Sequence, residues 1–410
     1  MKIYLLALWL FFIGLNLKSQ TQTEPCSFTN DINVFFDSKN DIDLFFLDQN
    51  RKLNNDFSNR DEIIIPLVFH VFNKSNSKYK VNLSDIYEQV DFLNDAFSGT
   101  NTDLKNVPDY FKSSIGKTNI RFCIGYKTED DEKIAGIIFH ENNTDYFADQ
   151  YIEGDNKRKK IKHTFYGGDD AWNSDKYINI WIGEMSYANG TSTFPGISNE
   201  YKDEEGIILN SKIFQYNSKS KKILVHEMGH YFGLLHIWGN EGGCNDDDGI
   251  DDTPLQNTFY TGCPKGEKYS CNSKDMYMNY MDYTNDYCSL FFTKDQVAYM
   301  QNSLYTYRNT LVDAKYLCDN QSDNSNIKDV EVFSSNNRIS ILKKFDNDLE
   351  LEYILYDNIG RNLKSGVIKN NQYIVNLDCN GYPSGIYFVF IKSKQEYLTK
   401  KLLLINNKLY

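Results

Sequence analysis

The chain of 410 residues is long enough for two or three domains. Hydrophobic residues make up 41% of it and aromatic residues 15%, which predicts packed cores and excludes global disorder. The net charge of -12 argues against nucleic acid and anionic membrane surfaces as partners, because both are themselves negatively charged.

The N-terminus has the pattern of a secretory signal peptide. Met1 and Lys2 precede an apolar run at residues 3–15, and residues 16–20 are polar. The run is too short for a comfortable membrane span, and no other stretch approaches eighteen apolar residues. We therefore predict a signal peptide over residues 1–19 and export through the periplasm, which gives a secreted or cell-surface protein without a transmembrane segment. Disulfides persist in that environment.

Residues 20–60 are rich in Asn, Asp and Lys and contain Cys26. In a secreted enzyme such a segment would be a propeptide, and a disordered leader is the alternative. The pattern changes after it, and we predict a folded domain over residues 61–318.

The first half of this domain alternates strands with a helix. Residues 63–72 predict a strand buried on both faces, in which His70 is a structural core residue. Ser84 can cap the following helix, whose apolar residues recur at helical spacing. Further strands are predicted at residues 120–126, 134–140, 177–182 and 206–210. By composition, residues 190–196 are typical of a surface loop, because Gly and Pro punctuate both ends.

An eleven-residue stretch that begins at His226 reads His-Glu-Met-Gly-His-Tyr-Phe-Gly-Leu-Leu-His. Residues four apart share a face of a helix, so His226 and His230 can bind one zinc ion. Gly233 can take the left-handed conformation that ends a helix, and the chain then returns His236 as a third ligand. Three protein ligands with one open position describe a catalytic zinc site, with Glu227 as the candidate general base. A chance match would need three of the six histidines to have this spacing by accident.

The segment after the histidines is acidic and contains several cysteines. Six carboxylates fall between residues 240 and 252 without a basic residue among them. This density of oxygen donors suits Ca²⁺, although the spacing is not that of an EF-hand, and a solvated acidic loop is the alternative. The chain has eight cysteines, of which four lie here: Cys244, Cys263, Cys271 and Cys288. Four cysteines allow three connectivities, and a bond between Cys123 and Cys318 is a further option.

Downstream sequences give the chain a family resemblance. Asn-Tyr-Met-Asp-Tyr ends at Tyr283, and Asp286-x-Cys288 and Phe292-Thr-x-x-Gln296 follow it. Together with the HExxHxxGxxH stretch, they resemble the pappalysin family of metzincin zinc peptidases over most of residues 64–304. The resemblance implies an α+β fold, in which a twisted, mostly parallel sheet and an active-site helix precede a lower subdomain with a Met-turn.

The resemblance also implies roles around the zinc. Met281 is the Met-turn residue beneath the ion, and Tyr283 could donate its hydroxyl to the zinc or to the tetrahedral oxyanion. Asp286 and Tyr287 shape the pocket for the residue after the scissile bond. Residues 190–196 then become the edge strand against which an extended substrate pairs.

Metal, disulfide and latency assignments follow from the same resemblance. It implies one or two structural Ca²⁺ ions, held by side-chain oxygens of Asp248 and Thr253 and by the carbonyls of Asp247 and Ile250. It implies the disulfides Cys244–Cys271 and Cys263–Cys288. Some metzincins block their zinc with a propeptide thiolate, so Cys26 is a latency candidate, with a disulfide partner or a free thiol as alternatives.

The C-terminal part of the chain predicts a separate β domain. A polar linker at residues 319–329 precedes seven short β-rich runs, which predict an all-β sandwich over residues 330–410. Tyr356-Asp-x-x-Gly360 and Ser384-Gly-Ile-Tyr-Phe388 resemble the C-terminal sorting domain of type IX secretion. A carbohydrate-binding or purely structural sandwich is the alternative.

These patterns together predict a secreted zinc metalloendopeptidase with one catalytic Zn²⁺. Glu227 would deprotonate a zinc-bound water for attack on peptide bonds of extracellular proteins. The partners are protein or peptide substrates and the type IX secretion machinery, and no oligomer is implied. One alternative is an inactive zinc-fold binding module or adhesin, against which the intact Glu227 argues. Another is a zinc hydrolase that acts on something other than peptides.

Overall fold

The computed structural model describes residues 26, 61–129, 132–196, 199–214, 221–240, 242–318, 330–335, 338–343, 350–369, 372–393 and 396–405. The predicted signal peptide, the predicted linker and all of the predicted propeptide except Cys26 lie outside the described residues. Within the described part of the chain, no helix is long and apolar enough to cross a membrane.

The N-terminal domain is built on a six-stranded sheet with a small accessory hairpin. Its strands are β1 (Ile63–Asn73), β2 (Ile120–Ile124), β3 (Tyr126–Glu129), β4 (Glu132–Ala135), β5 (Ile137–Glu141), β6 (Ile178–Gly183), β7 (Gly190–Ser192) and β8 (Ile207–Asn210). The order in the main sheet is β2-β1-β6-β8-β7, and β5 also pairs with β1. All pairs in this sheet are parallel except β7 with β8. The prediction of a mostly parallel sheet is confirmed.

Two predicted strands are interrupted by glycines. β2 pairs with the first half of β1 and β5 with its second half, and the antiparallel β3–β4 hairpin lies between them in the chain. At the junction, the Gly125 N–H donates to the Leu67 carbonyl at 2.8 Å, and the Gly136 N–H donates to the Gly125 carbonyl at 2.8 Å. A Cβ on Gly136 would come within 2.8 Å of that Gly125 oxygen. The single runs predicted at residues 120–126 and 134–140 are therefore wrong in extent, because each continues past a point where three backbones meet.

The described residues form three α-helices around the sheet: α1 (Leu83–Ser98), α2 (Lys222–Tyr231) and α3 (Lys294–Tyr307). Helix α1 begins one residue before Ser84, so the predicted cap is wrong. Asn82 is the N-cap, and its N–H donates to the Asp85 carboxylate at 2.8 Å. Short 3-10 helices connect the larger elements at Thr102–Asn106, Asp109–Ser114, Phe147–Asp149, Lys160–Lys162, Thr164–Tyr166, Asn199–Glu204, Ser211–Phe214 and Asn309–Leu317.

The second half of the domain has little regular structure beyond α3. Its two short strands are β9 (Tyr269–Ser270) and β10 (Ser273–Lys274). A disulfide between Cys123 and Cys318 joins the first strands to the end of this domain, with 5.8 Å between the Cα atoms. This bond closes the domain directly before the predicted linker.

The C-terminal domain is all β, as predicted. Its strands are β11 (Val330–Ser335), β12 (Arg338–Lys343), β13 (Leu351–Tyr356), β14 (Asn362–Ile368), β15 (Ile374–Asp378), β16 (Gly385–Lys392) and β17 (Tyr397–Leu404). One sheet has the order β11-β12-β15 and the other β14-β13-β16-β17, and all pairs are antiparallel. The two sheets enclose their own apolar core. Leu342, Tyr373 and Ile374 instead join the core of the N-terminal domain, so the two domains touch.

Candidate active site

Three histidines converge where α2 ends. Helix α2 presents His226 and His230 on one face, and the chain turns at Gly233, which has a φ of 98°. The turn brings His236 back, so that the Nε2 atom of His230 lies 3.0 Å from that of His226 and 3.2 Å from that of His236. Ligands about 2.0–2.1 Å from one tetrahedral ion have nitrogen atoms about 3.3 Å apart. The three imidazoles therefore fit a zinc ion.

Backbone carbonyls orient two of these rings. His226 Nδ1 lies 2.7 Å from the Tyr280 carbonyl and His230 Nδ1 lies 2.7 Å from the Leu234 carbonyl, so each Nδ1–H donates outward. The Nε2 lone pairs are thereby directed towards the common centre. Burial lowers the pKa of His226 to about 4 and lowers the pKa of His230 and His236 as well. The rings are therefore neutral, the form in which histidine binds metals.

Cys26 supplies a fourth donor atom at the same centre. Its sulfur and one nitrogen from each of the three histidines all lie within 4.8 Å of one another, and all four residues are buried. The Cys26 carbonyl accepts a hydrogen bond of 3.2 Å from the Tyr283 hydroxyl. Three imidazole nitrogens and one thiolate form a four-coordinate zinc set. A segment remote in sequence thus reaches the open position of the site.

Glu227 is fully buried beside the edge strand β7. A Cβ added to Gly190 would lie 2.5 Å from Glu227 Oε1 and 2.8 Å from its Cγ. Only a glycine at this position lets the strand approach the carboxylate so closely. Gly190 is not recognisable as a site residue from the sequence, because its role depends on a contact between segments 37 positions apart.

Met281 lies under α2. A Cβ on Gly229 would come within 2.5 Å of the Met281 sulfur, so the helix has a small residue where the methionine packs. Asn279 shapes this turn, because its Oδ1 accepts from the Met281 N–H at 2.9 Å and its Nδ2 donates to Gln296 Oε1 at 2.8 Å. The turn is therefore tied to the start of α3.

An aromatic wall surrounds the third histidine. The ring of Trp238 stacks on His236 at 4.3 Å between centroids, and Tyr283 packs edge-on against both at 4.8 Å. Phe259 extends the wall towards solvent and lies 5.3 Å from Tyr283. Sequence reasoning missed Trp238, although its position two residues after the last histidine places it near the site.

A small pocket opens beside His226. Asp286 contributes to its lining, and the Asp286 carboxylate accepts from the Lys221 N–H at 2.7 Å. The Lys222 side chain donates to the Asp103 carboxylate at 2.6 Å and to the carbonyls of Asp286 and Ser289. Sequence reasoning missed Lys222, a buried cation on the first turn of α2.

Tyr287 lies at the surface of the protein. The side chain is 86% exposed and is not among the described residues that line the pocket beside His226. The assignment of Asp286 and Tyr287 to the pocket for the residue after the scissile bond stays a prediction.

The acidic loop brings some of its expected calcium ligands together. Thr253 Oγ1 donates to Asp248 Oδ1 at 2.7 Å and lies 2.8 Å from the Ile250 carbonyl. Asp248 is buried, burial raises the pKa of its carboxyl group, and its Oδ2 has no hydrogen-bond partner among the described residues. The exposed Asp247 accepts from the Gly249 N–H within its own turn at 2.9 Å.

Two disulfides brace the segment between the histidines and the Met-turn. Cys244 is bonded to Cys271 and Cys263 to Cys288, with 5.2 and 5.6 Å between the respective Cα atoms. This alternating connectivity is the one that the family resemblance implied.

Comparisons with known proteins agree with this geometry. Residues 159–305 match the family model described as pregnancy-associated plasma protein-A, and residues 335–406 match that of the secretion system C-terminal sorting domain. A promirolysin variant from Tannerella forsythia is 28% identical, with a TM-score of 0.63, over 72% of this chain and 99% of its own. Mature mirolysin from the same organism, solved with a cleaved peptide, is 31% identical, with a TM-score of 0.57, over 63% of this chain and 98% of its own. An extracellular metalloprotease of Arthroderma benhamiae is 28% identical over 247 residues, which are 58% of this chain and 71% of that protein.

The fold and the histidine site define a metalloprotease of the metzincin class, which implies zinc. The chain belongs to the pappalysin family of these enzymes. It is a secreted protease with peptide substrates, and its sandwich is a sorting domain, which implies type IX secretion.

Proposed function

We propose that the protein is a zinc-dependent endopeptidase that hydrolyses internal peptide bonds of extracellular proteins. The observation that supports this most strongly is the convergence of three Nε2 atoms next to the buried Glu227. His226, His230 and His236 would hold the zinc ion, which when bound supplies a Lewis acid and lowers the pKa of a water molecule.

Glu227 moves the protons of the reaction. Its carboxylate accepts a proton from the attacking water and returns it to the nitrogen of the leaving amine. Once the Cys26 segment has left, the Tyr283 hydroxyl can donate to the carbonyl oxygen of the scissile bond as negative charge develops there.

Strand β7 would align the substrate. It is the outermost strand of the sheet order, so its outer edge can form main-chain hydrogen bonds with an extended polypeptide. Because Gly190 of this strand adjoins Glu227, a peptide paired there runs past the site on both sides. This arrangement favours cleavage within chains over removal of terminal residues.

Cys26 would keep the precursor inactive. Its thiolate would take the fourth coordination position of the zinc, which the attacking water requires. Its carbonyl accepts the hydrogen bond of the Tyr283 hydroxyl at the same time. The segment around Cys26 must leave before the zinc site or the Tyr283 hydroxyl can act. We therefore propose that residues 20–60 are a propeptide and that the Cys26 thiol maintains latency.

Asp248 would bind a structural calcium ion. Its buried Oδ2 without a partner, together with the nearby Ile250 carbonyl and Thr253 hydroxyl, supports a cation in this loop. Ca²⁺ prefers such oxygen donors. We further propose that export passes through the periplasm, with residues 1–19 as signal peptide and residues 330–410 as sorting domain.

Replacement of Glu227 tests the central proposal. Glu227→Ala should lower kcat by roughly 10²–10⁴-fold, because general acid–base catalysis contributes about that much. Zinc content should equal that of the parent, since the ligands are histidines. Glu153→Ala, which changes an exposed glutamate, is the matched control.

The positions of the cuts distinguish the alternatives. Cleavage sites in a digested proteome should lie within chains, whereas release of single terminal residues would contradict the endopeptidase proposal. A variant Glu227→Ala as active as the Glu153→Ala control would remove Glu227 from the mechanism. Protein binding without any products from the parent enzyme would instead identify a binding module.

A further inference from the structure

Helix α1 packs against the two domains with different faces. Its apolar residues, Ile86, Val90, Leu93 and Phe97, are buried in the core of the N-terminal domain. Its acidic residues Glu88, Asp91 and Asp95 are spaced so that they lie along another face of the helix. The C-terminal sandwich contacts this second face.

Glu88 is the centre of the polar contact. Its Oε1 accepts from Arg338 Nη1 at 2.6 Å and also from the Asn376 side chain, and both donors belong to the sandwich. Its Oε2 lies 3.0 Å from Nζ of Lys221, the residue directly before helix α2. The side chains of Glu88 and Arg338 are only 13% and 17% exposed, so this ion pair is largely withdrawn from water.

Asp91 receives the start of strand β15. Its two carboxylate oxygens accept the N–H groups of Tyr373 at 3.0 Å and of Ile374 at 3.2 Å. Burial raises the pKa of this carboxyl group to about 7. A partly buried carboxyl group that accepts two directed main-chain N–H groups indicates a specific contact between the domains.

Apolar packing completes the contact. Tyr373 is 3% exposed and its ring lies 5.7 Å from that of Tyr87 on α1. Ile374 and Leu342 are also buried in the core of the N-terminal domain. An interface with a buried apolar centre and a largely desolvated charge pair resembles a stable protein–protein contact.

We propose that the sorting domain is a docked lobe that stays bound to helix α1 after the linker at residues 319–329 is cut. A short linker gives the sorting domain a high effective concentration at helix α1, and cutting the linker removes that contribution to docking. The contacts of Glu88, Asp91 and Tyr373 then hold the domains together. Proteolysis of the linker is therefore not sufficient to release the catalytic unit, and release requires disruption of this interface.

The test uses the full chain with a recognition site for a sequence-specific protease placed within residues 319–329. Glu227→Ala is included so that self-digestion cannot cause separation. After complete cutting, the two fragments should elute together in size-exclusion chromatography at low micromolar concentration, about pH 6 and physiological salt. Separate elution of the unsubstituted fragments overturns the proposal.

Three substitutions locate the interface. Arg338→Glu places a carboxylate against Glu88, and Glu88→Ala removes the carboxylate that binds Arg338 and Asn376. Each should raise the dissociation constant of the cut fragments at least about tenfold. Lys401→Glu makes the same charge change as Arg338→Glu on an exposed position of strand β17 and should have no effect. Calorimetry of each fragment verifies folding. If both interface variants match the Lys401→Glu control, the assignment of the interface is wrong.

Discussion

The hydroxyl of Tyr283 donates a hydrogen bond to the carbonyl oxygen of Cys26 across 257 positions of sequence. The sulfur of Cys26 lies within 4.8 Å of the three histidine nitrogens at the same time. Cys26 therefore engages both the three-histidine centre and the Tyr283 hydroxyl, which the proposed reaction needs.

Loss of the thiol should unlock the precursor. Cys26→Ala removes the fourth donor, so the uncleaved precursor should hydrolyse a peptide substrate at least about tenfold faster than the parent precursor. Initial rates with a quenched fluorescent peptide, before any processing is visible on a gel, provide the measurement.

Cys379→Ala is the matched control for this experiment. Cys379 is buried in the sandwich and forms no disulfide among the described residues. Equal precursor activity in the Cys26→Ala and Cys379→Ala variants would show that the thiol does not maintain latency.

The glycine of the edge strand should be required for catalysis. A Cβ at position 190 would lie 2.5 Å from Glu227 Oε1, so Gly190→Ala must displace the strand or the carboxylate. We expect kcat to fall at least about tenfold with zinc content unchanged, because small misplacement of a catalytic group is costly.

Gly385→Ala controls for the general effect of glycine replacement. A Cβ at Gly385 meets nothing within 4 Å. If Gly190→Ala retains the kcat of the Gly385→Ala variant, the close approach of strand and carboxylate has no catalytic consequence.

Calcium should stabilise the acidic loop through Asp248. Asp248→Ala should lower Tm and raise the calcium concentration needed for activity, because the calcium ion then loses one of its oxygen ligands. Differential scanning fluorimetry across a calcium titration, with zinc content measured in parallel, checks both effects.

Asp251→Ala is the control, since it removes an exposed carboxylate from the same loop. The calcium proposal fails if a calcium-selective chelator changes neither Tm nor activity while zinc stays fully bound. It also fails if the two variants respond to calcium alike.

Docking of the sorting domain should weaken as pH rises. The pKa of Asp91 is raised by burial to about 7, so the docked state favours the protonated carboxyl group and this contribution is lost as pH rises through that value. Asp95 raises the pKa further and Lys221 opposes it, while Glu88 and Arg338 form the adjacent ion pair. The dissociation constant of the cut fragments should increase at least about tenfold from about pH 5 to about pH 8.

Asp91→Asn provides the check, because an amide does not ionise over this range. Its dissociation constant should be flat with pH. The same pH slope in the parent and in Asp91→Asn would assign the effect to another group.

Local patterns in the sequence determined the histidine site. His226, His230 and Gly233 are predictable because helical periodicity and a left-handed turn depend on a few neighbouring residues. The seven strands of the sandwich are predictable for the same reason, since alternation and turn residues act over short distances. Which of these strands pair within each sheet was decided by the tertiary structure.

Only the tertiary structure decided which distant segments meet. Cys26 reaches the zinc position, Gly190 lies against Glu227, and Glu88 binds Arg338 through contacts that span tens to hundreds of residues. The division of strands at Gly125 and Gly136 likewise depends on a third backbone that packs beside them. Such contacts arise from packing in three dimensions, and a single sequence carries no periodic signal that would reveal them.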